Sequence, residues 1–161
     1  MSVDGLRMTN PPVVKTGMLI RRPVGEVFEA FVDPAITTRF WFTRSSGRLT
    51  PGAQVKWEWE MYGVSTHVKV REVDKDARIL ADWGVEESPT TIEWKFFPQD
   101  DGTTYVQITN DGFAGDGDSA VAAAIDSMGG FTMVLCALKA LLEHDLRLTI
   151  VADAHPVDIK M

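Results

Sequence analysis

The chain has 161 residues, 45% of them hydrophobic, which predicts one globular domain with a substantial core. Its formal net charge of −7 at pH 7 argues against nucleic acid or an anionic membrane as the main partner, since both attract basic surfaces. The N-terminus has no basic segment followed by an apolar block, and no run of about 18 apolar residues occurs, so we predict neither a secretory signal nor membrane insertion.

Few side chains suggest redox or metal chemistry. The single cysteine, Cys136, excludes an internal disulfide and is typical of a reducing compartment, so we expect a cytoplasmic protein. The histidines His67, His144 and His155 share no metal-ligand spacing. The acidic, glycine-rich stretch at residues 111–118 lacks the alternating ligands and closing glutamate of an EF-hand. We therefore predict no metal and no cofactor.

The N-terminal third predicts a strand followed by two short helices. Residues 1–12 indicate a loose leader because they end in Asn-Pro-Pro, which cannot stand inside a helix. Residues 13–22 alternate as a strand does. Pro23 suits the first turn of a helix, and Asp33, a good capping residue followed by proline, marks the start of a second helix.

Five strand-like segments follow and indicate an antiparallel sheet. The first is the clearest, because its apolar residues alternate with polar ones over VKWEWEMY at residues 55–62. The other four occupy residues 64–73, 79–84, 91–96 and 103–110. Consecutive strands joined by short turns predict a meander with one apolar face, and we expect the stretch at residues 43–52 to be a loop.

The longest helical pattern covers residues 118–145, with Asp118 as its expected N-cap. Its apolar stripe consists of Met128, Phe131, Leu135, Leu138 and Leu142. Residues 146–161 form a tail in which LTIV favours either a short strand or a segment packed against the body, and we expect residues 153–161 to be mobile. The element order predicts an α+β fold: an antiparallel sheet of about six strands against a long C-terminal helix, with two short helices after strand 1. We expect a single domain over residues 1–161, with its core at about 13–145.

An ordered set of short motifs relates the chain to a known superfamily. These motifs are PVGEVF at residues 23–28, Asp33-Pro34, Arg39-Phe40-Trp41, Pro51-Gly52, Val73-Asp74, GTTYV at residues 102–106 and Gly130-Phe131. With them the chain resembles the START-like, helix-grip superfamily, also called SRPBCC. Within it, the chain is most similar to the single-domain branch related to the C-terminal domain of the activator of the heat-shock chaperone ATPase. That branch usually has Trp-Trp in place of Phe40-Trp41 and Gly-Trp in place of Gly130-Phe131.

The resemblance implies a curved sheet wrapped around the long helix, with an apolar cavity between them. The implied lining comprises Trp57, Trp59, Met61, Val70, Trp83 and Trp94 from the sheet, Met128, Phe131 and Leu135 from the helix, and Phe40 and Trp41 near the mouth. An aromatic-lined concavity suits an apolar or planar small molecule. The alternative is that these large side chains simply fill the core.

Three functions follow as hypotheses. The leading one is binding of a hydrophobic small molecule, such as a lipid or a polyketide-like or aromatic metabolite. The second is a protein-interaction module with a chaperone partner, as in the activator domain that the chain resembles. The third is a cyclase or hydrolase with a polar group such as Thr66, His67 or Tyr105 in the cavity, although no catalytic motif is present. The apolar LTIV segment also suggests a homodimer.

Overall fold

The structure is built on one antiparallel sheet of seven strands in the order β1-β7-β6-β5-β4-β3-β2. It is a computed structural model that describes residues 7–161. The strands are β1 Val14–Ile20, β2 Arg44–Ser45, β3 Gln54–Trp59, β4 Val64–Asp74, β5 Arg78–Gly84, β6 Thr90–Pro98 and β7 Thr104–Asp111. The helices are α1 Val24–Val32, α2 Pro34–Thr37, α3 Gly117–His144 and α4 Ile150–Ala154. The predicted α+β class and the element order are confirmed.

The sheet differs from the prediction at one edge. Residues 43–52 were expected to form a loop, but β2 lies there and pairs its two residues with Glu58 and Trp57 of β3. A strand of two residues is too short to show alternation, so the sequence pattern could not reveal it. Elsewhere β3 to β7 form the predicted meander, and a bulge between Val70 and Glu72 adds local twist and bend to β4.

The two short helices form for the reasons that the sequence gives. α1 buries one stripe, with Val27, Phe28 and Phe31 each no more than 3% exposed. Asp33 ends α1 and caps α2, its Oδ1 accepting a hydrogen bond from the Ala35 N–H at 3.0 Å. The two helices pack on each other, and α1 packs against β6.

Helix α3 begins one residue earlier than predicted and has a different cap. Asp116, not Asp118, is the N-cap, and its Oδ1 accepts a hydrogen bond from the Ser119 N–H at 2.8 Å. The helix ends at Asp145, which adopts a left-handed conformation with φ of 52°. Within the acidic stretch that precedes α3, either aspartate could cap, and the turn geometry decides between them.

Helix α3 has buried side chains in both halves, with Ala120 and Ala124 in the N-terminal one. It packs on β1 and β7 and is tied to β1 by two hydrogen bonds. Thr132 Oγ1 lies 2.9 Å from Thr16 Oγ1, and Lys139 Nζ donates to the carbonyl of Leu19 at 2.8 Å. The buried side chains of its C-terminal half are Phe131, Val134, Leu135, Ala137, Leu138 and Leu141. Beside the middle of the helix, from Ala123 to Val134, an open space remains.

By length and composition alone, α3 could cross a membrane, with a mean hydropathy of 1.7 over its most apolar window. The core helix of a globular fold passes the same test, so this finding does not contradict the expectation of no membrane insertion. The same residues explain the apolarity in another way, since Leu135 and Leu138 are both 0% exposed against the sheet. We interpret α3 as the core helix of this fold.

Of the two forms expected for LTIV, a short strand or a segment packed against the body, the structure has the second. Residues 150–154 form helix α4, which packs against α3. The Tyr62 hydroxyl interacts with the carbonyl of Val151 and lies 3.1 Å from that of Ala152. Asp153 and Ala154, expected to be mobile, belong to this helix. The predicted leader at residues 1–12 lies partly outside the described residues, and its residues 7–12 form no helix or strand.

Candidate ligand-binding cavity

An open cavity of about 860 Å³ lies beside α3, which lines it with residues between Ala123 and Val134. Its walls come from α3, from the ends of β4, β5 and β6, from the turn at Glu60–Tyr62 and from α4. The volume is within the range of small-molecule sites, roughly 300–1,000 Å³. The sequence predicted a cavity between the long helix and the sheet, and this one occupies part of that region.

Four aromatic side chains form its apolar wall: Trp41, Trp59, Trp83 and Phe131. The Phe131 ring centroid lies 5.8 Å from that of Trp41 and 5.6 Å from that of Trp83. The Trp59 ring centroid lies 6.3 Å from that of Trp83. The pairs meet at tilted or edge-on angles of 42–69°, the arrangement that aromatic quadrupoles favour. All four were predicted to line the cavity, and the structure brings them together.

Five other predicted lining residues lie in the core behind this wall. They are Phe40, Trp57, Val70, Trp94 and Leu135, and none is more than 4% exposed. Trp41 separates the tryptophans from the cavity, with its ring centroid 4.9 Å from Trp57 and 6.4 Å from Trp94. For these five the structure matches the alternative reading, in which large side chains fill the core. Alternation identifies the inner face of a strand but not the depth at which each residue lies.

The two predicted methionines lie outside the cavity. β3 ends at Trp59, and residues 60–62 form a single 3-10 turn closed by Gly63 in a left-handed conformation with φ of 62°. The alternation therefore breaks before Met61, which is 39% exposed. Met128 is 42% exposed because the N-terminal half of α3 turns that face to solvent.

A polar cluster that the sequence did not reveal borders the cavity between α3 and β7. Asn110 is only 2% exposed and occupies an inward position that continues the alternation of Val106 and Ile108. Its Nδ2 donates to Thr90 Oγ1 at 3.0 Å and to the Thr91 carbonyl at 2.8 Å. Its Oδ1 accepts from the Ser127 hydroxyl at 2.7 Å. An asparagine at an inward strand position was the available signal.

The side of the cavity next to α4 carries Tyr62, Thr66 and His155. Thr66 Oγ1 accepts a hydrogen bond from the Gly84 N–H at 3.0 Å, which joins the ends of β4 and β5. Of the three polar groups considered for catalysis, only Thr66 borders the cavity. His67 points to the outer face of the sheet, and Tyr105 is 37% exposed there beside Phe97.

Comparison with known protein families identifies the family of this chain. The family described as activator of Hsp90 ATPase homolog 1-like protein has a model that matches residues 21–143. The chain belongs to this family. The resemblance drawn from the sequence motifs is thereby confirmed. No curated protein matches the chain.

Solved structures similar to this member of the activator-homolog family include the protein SSP2350 from Staphylococcus saprophyticus. It is 28% identical, with a TM-score of 0.72, over 85% of this chain and 96% of that chain. The Aha1 dimer from Colwellia psychrerythraea is 17% identical, with a TM-score of 0.71, over 83% and 97% of the two chains. DynU16, a putative protein in the dynemicin biosynthetic locus, is 20% identical, with a TM-score of 0.74, over 84% of this chain and 48% of that chain.

Of the two sequence differences from the usual pattern that the resemblance implies, only the one at Phe131 lies at the cavity. Phe40 packs in the core, 5.5 Å from the Phe31 centroid, while Trp41 beside it lines the cavity. In the other pair, Gly130 and Phe131 both line the cavity. A Cβ atom added at Gly130 or at Gly129 would meet no atom within 4 Å. The extra glycine, Gly129, predicts either a flexible or a closely approached point in the helix, and the open space argues against the close approach.

The charge around the cavity in this family member is negative. Asp126 is the only carboxylate among the lining side chains, and no lysine or arginine lines the cavity within the described residues. Strong ion pairs lie elsewhere: the Arg71 guanidinium lowers the pKa of Asp82, and Arg48 lowers that of Glu29. In residues 7–161 no group of three or more His, Cys, Asp or Glu side chains is placed to hold a metal ion.

Proposed function

We propose that this protein binds an apolar, planar small molecule in the cavity beside α3. The observation that carries the proposal is the aromatic wall of Trp41, Trp59, Trp83 and Phe131, which borders open space of about 860 Å³. Aromatic surface that faces water is unfavourable, and a flat apolar ligand would cover it. The placement of DynU16 in a biosynthetic locus supports a small-molecule role for this fold but does not identify a ligand for this chain.

Two neighbouring glycines give a matched test of this proposal. Gly130 lines the cavity, whereas Gly129 does not, and both lie in α3 with open space at the Cβ position. We expect Gly130→Leu to fill part of the cavity and to weaken binding of an apolar dye such as Nile red at least tenfold. Gly129→Leu should bind as the unsubstituted protein does. Equal binding by both variants would place the dye outside the cavity and count against the proposal.

A native mass spectrum of the freshly purified protein provides an independent measurement. A co-purified compound that is lost from Gly130→Leu and kept by Gly129→Leu would support binding in the cavity. A compound released in chemically altered form would favour the cyclase or hydrolase hypothesis instead. Stimulation of a chaperone ATPase by the ligand-free protein would favour the protein-interaction hypothesis.

We also propose that the protein acts in the cytoplasm, in keeping with the single thiol of Cys136. A homodimer is a further proposal, supported by the similar fold of the Aha1 dimer. The LTIV segment, residues 148–151, is the one that the sequence suggested for dimer contacts, and its Leu148 is 41% exposed. Light scattering of the purified protein measures its oligomeric state directly.

A further inference from the structure

We propose that the ligand carries a protonated amine, bound where Asp126 and Ser127 of α3 border the cavity. This inference rests on the proposed function, because it names the class of ligand for the same cavity. Its basis is the hydrogen-bonding capacity and the charge of the groups that border the polar side.

The hydrogen bonds around Asn110 have a direction that its partners determine. The Thr91 carbonyl can only accept, so the group of Asn110 that faces it at 2.8 Å must be the amide nitrogen. The amide oxygen therefore faces Ser127, whose hydroxyl donates to it at 2.7 Å. Because that proton is used, Ser127 Oγ presents only lone pairs to the cavity. It can accept a hydrogen bond from a ligand but cannot donate one.

A carboxylate, that of Asp126, borders the same cavity as Ser127. Asp126 lines the cavity one residue before Ser127, and no salt bridge within residues 7–161 involves it. Two more carboxylates, Glu86 and Glu87, lie in the loop between the lining residues Val85 and Ser88. Glu86 and Glu87 do not line the cavity and add only negative charge near it, whereas Asp126 and Ser127 offer acceptors that an ammonium group satisfies with its three N–H donors.

A ligand with an ammonium group also suits the charges on the rest of the cavity. Among the described residues, His155 is the only lining side chain that can carry a positive charge, and it lies on the side formed by α4. A ligand carboxylate on the α3 side would face Asp126 with no cationic partner among these residues, at an electrostatic cost. An aromatic amine instead places its charge at Asp126 and its rings against the aromatic wall.

A series of naphthalene compounds with one ring system and three charges tests the inference. We would titrate naphthylmethylamine, naphthylmethanol and naphthoate into the full chain by calorimetry at neutral pH. The expected order of affinity is amine, then alcohol, then carboxylate. In Asp126→Asn, the affinity for the amine should fall about fivefold, as a solvent-accessible ion pair is lost, while that for the alcohol stays the same.

Asp118→Asn is the matched control, since it removes the same unit of charge from an exposed position in α3 that does not line the cavity. It should leave all three affinities unchanged. Equal binding of amine and alcohol, with no effect of Asp126→Asn, would overturn the inference while the proposed binding function stands. If none of the three compounds binds, and Nile red also fails to bind, the proposed function fails and the inference with it.

Discussion

The Ser127 hydroxyl on α3 donates to Asn110 Oδ1 on β7 at 2.7 Å, which joins the long helix to the sheet beside the cavity. Further along, Thr132 and Lys139 tie the same helix directly to β1. The bond from Ser127 holds the helix to β7 at a point where both residues line the cavity. It therefore helps to set the width of the cavity on its polar side.

Replacing Asn110 should destabilise the fold. Asn110→Ala removes three hydrogen bonds at a site only 2% exposed and leaves the Thr91 carbonyl with one partner fewer. We expect a loss of about 1–3 kcal/mol in the free energy of unfolding, measured by urea denaturation. The control Gln107→Ala, on β7 at a position that is not buried, should change it by less than about 0.5 kcal/mol. A smaller loss for Asn110 than for Gln107 would contradict the described network.

The paired glycines of α3 predict a gain in stability. Glycine inside a helix is unfavourable relative to alanine by about 1 kcal/mol, because it loses more backbone freedom on folding. A Cβ atom at Gly129 or Gly130 meets open space, so neither substitution creates a clash. We expect Gly129→Ala and Gly130→Ala each to raise the free energy of unfolding by about 0.5–1 kcal/mol, as followed by thermal denaturation. A decrease in either variant would show that α3 needs the glycine backbone there.

Truncating Trp94 and truncating Trp59 should lower the free energy of unfolding by different amounts, because Trp94 lies in the core and Trp59 lines the cavity. Trp94 is 0% exposed, and Trp94→Ala should cost about 3–5 kcal/mol in unfolding free energy, as other large core truncations do. Trp59 is only partly buried and lines the cavity, so Trp59→Ala should cost much less, about 1 kcal/mol. The second variant should nevertheless weaken Nile red binding. Equal costs in urea denaturation would show that both residues belong to one core.

The sequence predicts those helices and strands that are set by local, repeating patterns, and it misses those that depend on tertiary contacts. Alternation and helical spacing identify the strands from residue 55 onward and the long helix, because these patterns repeat over several residues. The two-residue strand β2 and the turn that moves Met61 to the surface have no such repeat. Their conformations depend on pairing with β3 and on the left-handed Gly63, both tertiary features.

The candidate site was only partly predictable for a related reason. Trp41, Trp59, Trp83 and Phe131 are aromatic residues on the faces that the pattern turned inward, and they do border the cavity. Whether an inward residue is covered depends on how far α3 stands from the sheet, which no local pattern encodes. Asn110 carried a readable signal, since a polar residue at an inward position requires partners.

Removing one hydroxyl group should loosen the C-terminal wall of the cavity. Tyr62 bonds to the carbonyls of Val151 and Ala152, which adds to the packing of Ile150 and Val151 against the core. Tyr62→Phe should therefore speed amide hydrogen exchange in residues 150–154 and cost about 1 kcal/mol in local stability. Exchange in β6 should stay unchanged and serves as the internal reference. Unchanged exchange in α4 would mean that the hydroxyl does not hold this helix.

An ion pair between Arg71 and Asp82 lies on the outer face of the sheet, and we expect it to make the free energy of unfolding depend on pH in the acid range. Arg71 Nε donates to Asp82 Oδ2 at 2.7 Å, and the Thr91 hydroxyl donates to Oδ1 at 2.8 Å. The hydrogen bond from Arg71 is the main cause that lowers the pKa of Asp82 below its ordinary value of 3.8. The unfolded chain then binds this proton more readily than the folded one. The stabilisation is therefore complete above the ordinary pKa and is lost as the pH falls through the lower, folded value.

Asp82→Asn tests this dependence. At neutral pH the substitution should lower the free energy of unfolding by about 1 kcal/mol, because the pair with Arg71 is partly exposed to solvent. The difference from the unsubstituted protein should shrink as the pH falls below 3.8, where the unfolded chain begins to bind the proton, and should be lost below the lower pKa of Asp82 in the folded protein. Asp74→Asn, at an exposed position of β4, should show no such trend in urea denaturation series across pH. A difference between Asp82→Asn and the unsubstituted protein that stays constant down to the acid limit would mean that Arg71 does not stabilise the charged form of Asp82.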